Sequence, residues 1–209
     1  MSVSVDGFVG GPDGEIDWIF KSMDEGATKW TVDAIWQAGV HIMGSRTFHD
    51  MASYWPYSTE VFAPPMNTIP KVVFTKKGFV EKTNPALTTT ALKDASLINP
   101  VDAGAKPQGL DTWANAVVAA GNLADEINRL KQQPGKDILA HGGASFAQSL
   151  VESGLIDEYQ LLIHPVALGK GLPLFGTAVK PVYLKLISSI KFDAGCVAQI
   201  YRPVQAADK

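Results

Sequence analysis

Apolar runs and helix-like periodicities alternate along most of the chain. Four short apolar runs have the length of β-strands, at residues 40–44, 71–77, 137–143 and 158–168. Four other segments carry apolar positions at helical spacing, at residues 28–39, 45–55, 122–135 and 145–152. Residues 181–203 predict two more strands around a turn at 193–195. Strands that alternate with helices, followed by an antiparallel pair, indicate an α/β fold built on a layered sheet.

Polar and turn-forming residues predict where these elements end. Thr28 and Asn122 are candidate caps, because a side-chain oxygen at a helix start can accept a free backbone N–H. Loops are predicted at the glycine-rich residues 10–14, the proline-rich residues 57–70 and residues 94–111, where periodicity is weak. The sequence has no internal repeats, and we predict a single domain over residues 1–209.

Composition narrows the class of protein. Hydrophobic residues make up 46% of the chain and charged residues 19%, which allows a sizeable core. The net charge of −3 gives no support to nucleic-acid binding, which needs a basic surface. A single cysteine, Cys196, excludes an intrachain disulfide and suits a reducing compartment. We expect a cytoplasmic protein without a membrane span or signal peptide. The four histidines lack metal-ligand spacing, so no metal site is predicted.

Two of the predicted strands turn into helices through glycine. Gly44 precedes the helix at 45–55, and Gly142-Gly143 precede the helix at 145–152. Helix N-termini present unpaired N–H groups, and glycine lets an anion approach them closely. A third strand ends in residues 75–77, Thr-Lys-Lys, which add a hydroxyl and two ammonium groups. Since ligands bind beyond the carboxyl ends of strands in open sheets, these ends predict a multiply phosphorylated ligand such as NADPH.

Spacing alone leaves a second interpretation of these junctions open. A glycine before a helix is also a common tight turn, and a lysine pair at a strand end is often only a solvated tip. The dinucleotide fingerprint G-x-G-x-x-G and the P-loop pattern are both absent. A dinucleotide would therefore bind in a different fold.

Five stretches of the chain resemble one superfamily in their order. They are "SVDGFVGGPDGEIDW", "HIMGSRTF", "KVVFTKK", "LAHGGASFAQSLVESGLIDEYQLLIHPVALGKGLPLF" and "LKLISSIKFDAGCVAQIYRP". They resemble the dihydrofolate reductase-like superfamily, and within it the C-terminal reductase domain of the bacterial riboflavin-pathway enzyme. The resemblance implies a central mixed, mostly parallel sheet flanked by helices, with antiparallel C-terminal strands. It also implies NADPH as hydride donor and frequent dimers, and it makes residues 94–111 an insertion.

The resemblance assigns cofactor roles by position. Residues similar to the first phosphate-binding helix start are Gly44, Ser45, Arg46 and Thr47. Residues similar to the segment around the adenosine phosphate are Thr75, Lys76 and Lys77. Residues similar to the turn under the pyrophosphate and nicotinamide are Gly142, Gly143, Ala144, Ser145 and Phe146, and His141 just before them is a further candidate cofactor-binding residue. The segment "GGPDGEID" resembles the mobile lid over the nicotinamide.

The substrate side leaves more alternatives open. Candidate catalytic carboxylates are Asp6, Asp17 and Asp24. Candidate substrate-binding residues are Trp18, Tyr54 and His164. Each also has a structural interpretation: Asp6 as a turn residue, the other two carboxylates as surface charges, His164 as a satisfied core histidine. The neighbouring Trp55 fits either a pocket wall or the helix core.

Three departures from the family pattern affect the predicted activity. His141 stands where riboflavin-type domains usually have a glutamate. The first strand, a short alternating segment with Val3 and Val5, has only five residues before Asp6, where relatives have about twice as many. Arg46 comes one position after the phosphate-binding arginine of folate reductases. The first hypothesis is an NADPH-dependent reductase of a small nitrogen heterocycle or its ribosyl derivative, similar to the 5-amino-6-(5-phosphoribosylamino)uracil reductase of riboflavin biosynthesis. The alternatives are dihydrofolate reductase-type pterin reduction and a non-catalytic nucleotide-binding dimer.

Overall fold

A computed structural model describes residues 1–75, 90–100, 107–176, 178 and 180–204 of the chain. The chain divides into two compact units. The mixed-sheet unit comprises Met1–Lys29 and Ala144–Lys209, and the parallel-sheet unit comprises Trp30–Gly143. The prediction that residues 1–209 form one domain stays a prediction.

The parallel-sheet unit contains four parallel strands in the order β5-β4-β3-β6. The strands are β3 (Ala38–Gly44), β4 (Lys71–Phe74), β5 (Val117–Ala119) and β6 (Asp137–Ala140). The helices are α3 (Ser45–Tyr54), α4 (Ala63–Thr68), α5 (Thr90–Ile98), α6 (Leu110–Ala114) and α7 (Leu123–Lys131), with a 3₁₀ turn at Trp55–Tyr57. All four residues of β4 are buried, which is typical of a parallel strand covered on both faces. Met43 and Val73 of the sheet share one core with Phe48 and Trp113.

The mixed-sheet unit has four strands in the order β1-β7-β10-β9 and a separate two-stranded ribbon. The strands are β1 (Ser2–Ser4), β7 (Tyr159–His164), β9 (Leu184–Lys191) and β10 (Val197–Pro203), with β2 (Phe8–Gly10) and β8 (Leu172–Pro173) in the ribbon. The helices are α1 (Asp17–Phe20), α8 (Ala144–Glu152) and the start of α2 (Glu25–Trp36), which continues into the parallel-sheet unit. Strand β1 is parallel to β7, and the β7–β10 and β10–β9 pairs are antiparallel. Val3 of β1 and Leu161 of β7 share a core with Ala147 and Val151 of α8.

The fold class predicted from the sequence is confirmed. From β3 to β7 helices alternate with strands that pair in parallel with a neighbour, and the antiparallel pair β9–β10 follows. Asn122 is also confirmed as a cap, because its side chain accepts the N–H groups of Ala124 and Asp125. Among the described residues, no helix has both the length and the apolar character needed to cross a membrane.

The structure corrects two predicted loops. Residues 57–70 contain α4, since Pro64 and Pro65 lie in its first turn, where a helix needs no N–H donor. The predicted loop at 94–111 is wrong at both ends, and its interpretation as an insertion stays a prediction. Helix α5 continues to Ile98, just before the Asn99-Pro100 pair that disfavours helix, and α6 begins at Leu110.

One helix start is also corrected. Helix α2 begins at Glu25 rather than at Thr28. The side chain of Asp24 accepts the N–H of Ala27 at 2.8 Å, which is the contact expected of a cap. The apolar periodicity that predicts this helix begins one turn after its true start, so the pattern does not identify Asp24 as the cap.

Candidate functional site

Three of the predicted cofactor segments follow neighbouring strands of one parallel sheet. Strand β3 lies between β4 and β6, with Gly44 paired to Phe74 and Ile42 paired to Ala140. Because the strands are parallel, their carboxyl ends lie at the same edge. After β3 the chain adds β4 and then β5 on one side of it, and β6 later pairs on the opposite side of β3. This is a topological switch point, where ligands bind in open α/β sheets.

The first junction at this edge is the start of α3. Gly44 is extended, with φ −73° and ψ 156°, and α3 begins at the next residue. The first turn holds no acidic residue and no side-chain cap. Arg46 of that turn is exposed, while Ser45 and Thr47 are half-buried. The free N–H groups of this helix start and the nearby guanidinium therefore suit an anion.

The second junction contacts the first. Gly142 and Gly143 are both in the left-handed region, with φ of 80° and 70°. The N–H of His141 donates to the carbonyl of Ile42 at 3.0 Å, which fixes the chain just before the turn. A Cβ added to Gly143 would lie 2.5 Å from Oγ1 of Thr47 in the first turn of α3. Glycine is thus required by both backbone conformation and close packing, and the packing places the glycine turn against the first turn of α3.

The remaining predicted cofactor residues are placed less completely. Thr75 directly follows β4, and its N–H donates to the carbonyl of Ala119 at 3.1 Å. Lys76 and Lys77 lie outside the described residues. Residues 144–146, Ala-Ser-Phe, form the first turn of α8, which follows Gly143 in the chain. Their roles stay predictions.

A buried group of nitrogen-bearing side chains, missed by the sequence analysis, lies in the same sheet. His41 of β3 pairs in register with Lys71 of β4, and both are fully buried. The His41 and His141 rings meet edge to face, with centroids 4.3 Å apart. Both nitrogens of His41 and Nε2 of His141 lack a hydrogen-bond partner among the residues that the structure describes. These residues are brought together by the pairing of β3 with β4 and β6, which local sequence patterns do not reveal.

Burial sets the charge state of this group. It lowers the pKa of Lys71 to about 7. The amine donates to Oγ1 of Thr112 at 2.7 Å and lies 4.3 Å from the ring centroid of Trp113. Burial, with a smaller effect of the Lys71 charge, lowers the pKa of His41 to about 3, and burial also lowers that of His141. Both histidines are therefore neutral at pH 7.

Asp6 holds a turn of the mixed-sheet unit. Its carboxylate accepts the Ser4 hydroxyl at 2.6 Å and the N–H groups of Leu168 and Gly169 at 3.1 and 2.7 Å. The Ser4 hydroxyl, followed by the Gly169 N–H, lowers the pKa of Asp6. A carboxylate that is ionised at neutral pH and occupied by these donors is not poised to give up a proton.

The other two candidate carboxylates also have partners within their unit. Asp24 accepts the N–H groups of Ala27 and Ala194, both of which lower its pKa. Asp17 lies on the surface and forms an ion pair with Lys21 at 2.9 Å. These contacts supply structural roles for both residues, and their catalytic roles stay predictions.

His164 is fully buried at the end of β7. Its Nδ1 lies 2.8 Å from Oγ of Ser22 and 3.3 Å from Sγ of Cys196. The ring of Trp18 packs edge-on against it, with centroids 5.3 Å apart. Two residues predicted for the substrate side are therefore in contact. Ser22 and Cys196 were not predicted to join them, because the contacts span 142 and 32 positions of sequence.

Tyr54 is buried at the end of α3 in the parallel-sheet unit. Its hydroxyl donates to Glu60, and it also contacts the carbonyl of Asn99 at 3.2 Å. The Asn99 side chain in turn donates to Glu60 at 3.0 Å. The hydroxyl thus joins three segments of its own unit, and its predicted substrate role is not supported by a free polar group.

The family model for the RibD C-terminal domain matches residues 1–198. The uncharacterized protein YyaP of Bacillus subtilis (strain 168) is 30% identical over 201 residues, which cover 96% of this chain and 91% of that protein. The fold is similar to that of a Thermotoga maritima diaminohydroxyphosphoribosylaminopyrimidine deaminase/5-amino-6-(5-phosphoribosylamino)uracil reductase, with a TM-score of 0.63 and 14% identity. That match covers 98% of this chain and 55% of the Thermotoga chain.

A second solved structure shows the same fold. Dihydrofolate reductase from Enterococcus faecalis, complexed with NADP(H), matches with a TM-score of 0.54 and 12% identity. The match covers 98% of this chain and 94% of that chain.

Proposed function

Because the chain belongs to the RibD C-terminal domain family, we propose that it is an NADPH-dependent reductase. The proposed acceptor of the hydride is a small nitrogen heterocycle or its ribosyl derivative. The observation that carries the proposal is the contact between the glycine turn and the first turn of α3 at the switch point of the parallel sheet.

This edge of the sheet fits the phosphates of a dinucleotide. The turn at Gly142-Gly143 presents bare backbone, and α3 offers free N–H groups beside Thr47. Arg46 adds a positive charge, and the buried His41 and His141 are neutral, so they add no charge of either sign. A carboxylate side chain at this position would repel phosphate, and the first turn of α3 has none.

The extra phosphate of NADPH accounts for the proposed preference over NADH. Arg46, Lys76 and Lys77 supply more positive charge than the pyrophosphate of NADH needs. When bound, NADPH would supply the hydride and its electron pair. The chain's own residues would hold the phosphates, orient the cofactor and exclude water from the reacting atoms.

The substrate class rests on the family and on the named relatives. The Thermotoga protein is named for a ribosylaminouracil and the Enterococcus protein for dihydrofolate. We favour the ribosylaminouracil type, because Asp24, one of the acidic residues near the position where folate-reducing relatives carry a pterin-binding carboxylate, is occupied by two backbone N–H groups. Since Asp6 and Asp24 both have lowered pKa values, the proton that completes the reduction would come from water.

Turnover tests the proposal directly. The purified chain is incubated with NADPH and either 5-amino-6-(5-phosphoribosylamino)uracil or dihydrofolate, and the loss of NADPH absorbance is followed. We expect oxidation that depends on the pyrimidine. Oxidation with dihydrofolate alone would indicate pterin reduction. Tight NADPH binding without turnover of either compound would favour the non-catalytic alternative.

We also propose a homodimer in the cytoplasm. The edge strand β9 exposes Leu186, Ile187 and Ile190, which a second copy would cover. Twofold pairs are the commonest soluble homo-oligomers. Light scattering at micromolar concentration should give about twice the chain mass of 22.4 kDa. A mass equal to that of one chain at all concentrations would contradict the dimer.

A further inference from the structure

One buried nitrogen of the mixed-sheet unit has no hydrogen-bond partner. Of the buried side-chain nitrogen and oxygen atoms that the structure describes in this unit, only Nε2 of His164 lacks one. The histidine has no exposed surface, so bulk water does not serve as a partner. A buried polar atom left unsatisfied destabilises the folded state, and such atoms in native proteins call for an explanation.

The opposite nitrogen of the ring identifies which proton His164 carries. The thiol of Cys196 donates to the carbonyl of Ser22 at 3.0 Å, which occupies that acceptor. The hydroxyl of Ser22 is buried and lies 2.8 Å from Nδ1. If Nδ1 were the protonated nitrogen, the hydroxyl proton would lose this acceptor. The hydroxyl therefore donates to Nδ1, which puts the ring proton on Nε2.

The charge of the ring agrees with this assignment. Burial is the largest cause of the lowered pKa of His164, about 4, so the imidazole is neutral at pH 7. A neutral imidazole has a single N–H. His164 therefore presents one fixed donor, and its other nitrogen is occupied.

The donor lies at the end of two parallel strands of the mixed-sheet unit. His164 is the last residue of β7 and pairs with Ser4, the last residue of the parallel strand β1. Trp18, which packs against the His164 ring, lies in α1 directly after the glycine-rich segment that resembles a lid. Its own indole N–H is used on the carbonyl of Glu15 at 3.1 Å. The donor thus lies at the carboxyl ends of two parallel strands, beneath the helix that follows the lid-like segment.

We propose that substrate binding uncovers the buried His164 ring and that its Nε2–H then donates a hydrogen bond to an acceptor atom of the substrate, a carbonyl oxygen or a ring nitrogen of the heterocycle. This inference rests on the proposed function and names the substrate's recognised group. The imidazole keeps its proton throughout and acts by drawing electron density towards the acceptor atom, which favours hydride addition at a conjugated carbon. A heterocycle that presents an amino group at this point is rejected, since two donors would face each other.

The first test does not depend on a substrate. Nitrogen-15 NMR of the histidine rings in the full chain reports which nitrogen carries the proton. We expect a neutral His164 ring protonated on Nε2 at pH 7, and we expect Ser22→Ala to abolish this fixed preference. A ring protonated on Nδ1 in the parent protein would overturn the proposal.

The second test uses a matched set of variants. His164→Gln places an amide N–H near the position of Nε2, His164→Asn places one near Nδ1, and His164→Phe has no donor. Binding of 5-amino-6-(5-phosphoribosylamino)uracil is measured by calorimetry in each. We expect His164→Phe and His164→Asn to bind it about tenfold more weakly than the parent, and His164→Gln to lose less, as expected for one hydrogen bond. If His164 is merely structural, its variants should differ in melting temperature while His164→Gln and His164→Asn bind the pyrimidine equally well.

NADPH binding distinguishes this proposal from the proposed function. All three variants should bind NADPH within about twofold of the parent, a change too small for a lost hydrogen bond. If the parent binds the pyrimidine and His164→Phe binds it equally well, the His164 inference fails and the reductase proposal stands. If the parent binds NADPH but neither the pyrimidine nor dihydrofolate, the His164 inference fails as stated. If the parent does not bind NADPH, the reductase proposal itself fails.

Discussion

Single residues in this protein are set by partners that are distant in sequence. Asp6 is tied to Gly169 across 163 positions, and Asp24 to Ala194 across 170. Sequence alone showed two acidic residues near the expected substrate side, and a catalytic and a structural interpretation were both open. The folded structure gives each carboxylate structural partners, because backbone N–H groups from the other end of the chain donate to it.

Lys71 makes the stability of the fold depend on pH. Its pKa is lowered to about 7 in the folded chain, whereas an unfolded lysine has its ordinary value of 10.5. Between these values the unfolded chain binds a proton that the folded chain does not. Stability therefore rises with pH above about 7, by up to about 1.4 kcal/mol per pH unit from this residue. Urea unfolding at pH 7, 8 and 9 should show this slope.

Two variants identify the source of that slope. Lys71→Met should flatten it, because the buried amine is removed. Lys93→Met, at an exposed position of α5 in the same unit, should leave it unchanged. A slope that is the same in the parent and in Lys71→Met would show that the amine stays protonated in the core.

At the scale of elements, the strand-to-helix junctions were predictable and their contact was not. Gly44 and Gly142-Gly143 each lie between an apolar run and a helical periodicity, which indicates a turn at that point. That the two turns meet through Gly143 and Thr47 depends on β6 pairing beside β3, far from its sequence neighbour β5. Strand order is a property of the whole sheet, and local periodicity carries no information about it.

A double-mutant cycle separates the two roles of Gly143. Gly143→Ala should lower stability, because a left-handed conformation costs about 1 kcal/mol for a residue with a Cβ and because that atom meets Thr47. In a Thr47→Ala background the second cost should vanish, so the alanine at 143 should be better tolerated. Urea unfolding of the four proteins measures the coupling.

NADPH titration of the same four proteins completes the cycle. If the turn binds phosphate, Gly143→Ala should weaken NADPH binding in both backgrounds, since the added atom covers the backbone that the ligand approaches. Full recovery of NADPH affinity in the double variant would show that Gly143 serves only to pack against Thr47.

The cap at the start of α2 gives a second test at this scale. Asp24→Ala removes the acceptor for the Ala27 N–H and should lower the melting temperature. Asp24→Asn keeps an acceptor oxygen at the cap and should lower it less. Circular dichroism of both variants measures the difference. If turnover is abolished equally by both variants while the melting temperature stays at that of the parent, Asp24 is catalytic rather than structural.

For the whole molecule, the fold class followed from the alternation of elements and from the resemblance of five motifs. The helices α4 and α5 did not, because prolines and a weak periodicity hid them within the predicted loops at 57–70 and 94–111. Residues of the cofactor site and of the substrate side were both predicted by position, and their roles stay predictions. The sequence could not show which buried polar groups find partners, as the unpaired Nε2 of His164 illustrates.

The central claim is that this chain binds NADPH through its phosphates at the carboxyl edge of the parallel sheet. Calorimetric titration of the parent protein with NADPH and with NADH tests it most directly. Arg46, Lys76 and Lys77 supply more positive charge than the pyrophosphate of NADH needs. We therefore expect NADPH, with its extra phosphate, to bind at least about ten times more tightly than NADH, a difference of about 1.4 kcal/mol. Equal affinities for the two cofactors, or no binding of either, would contradict the account.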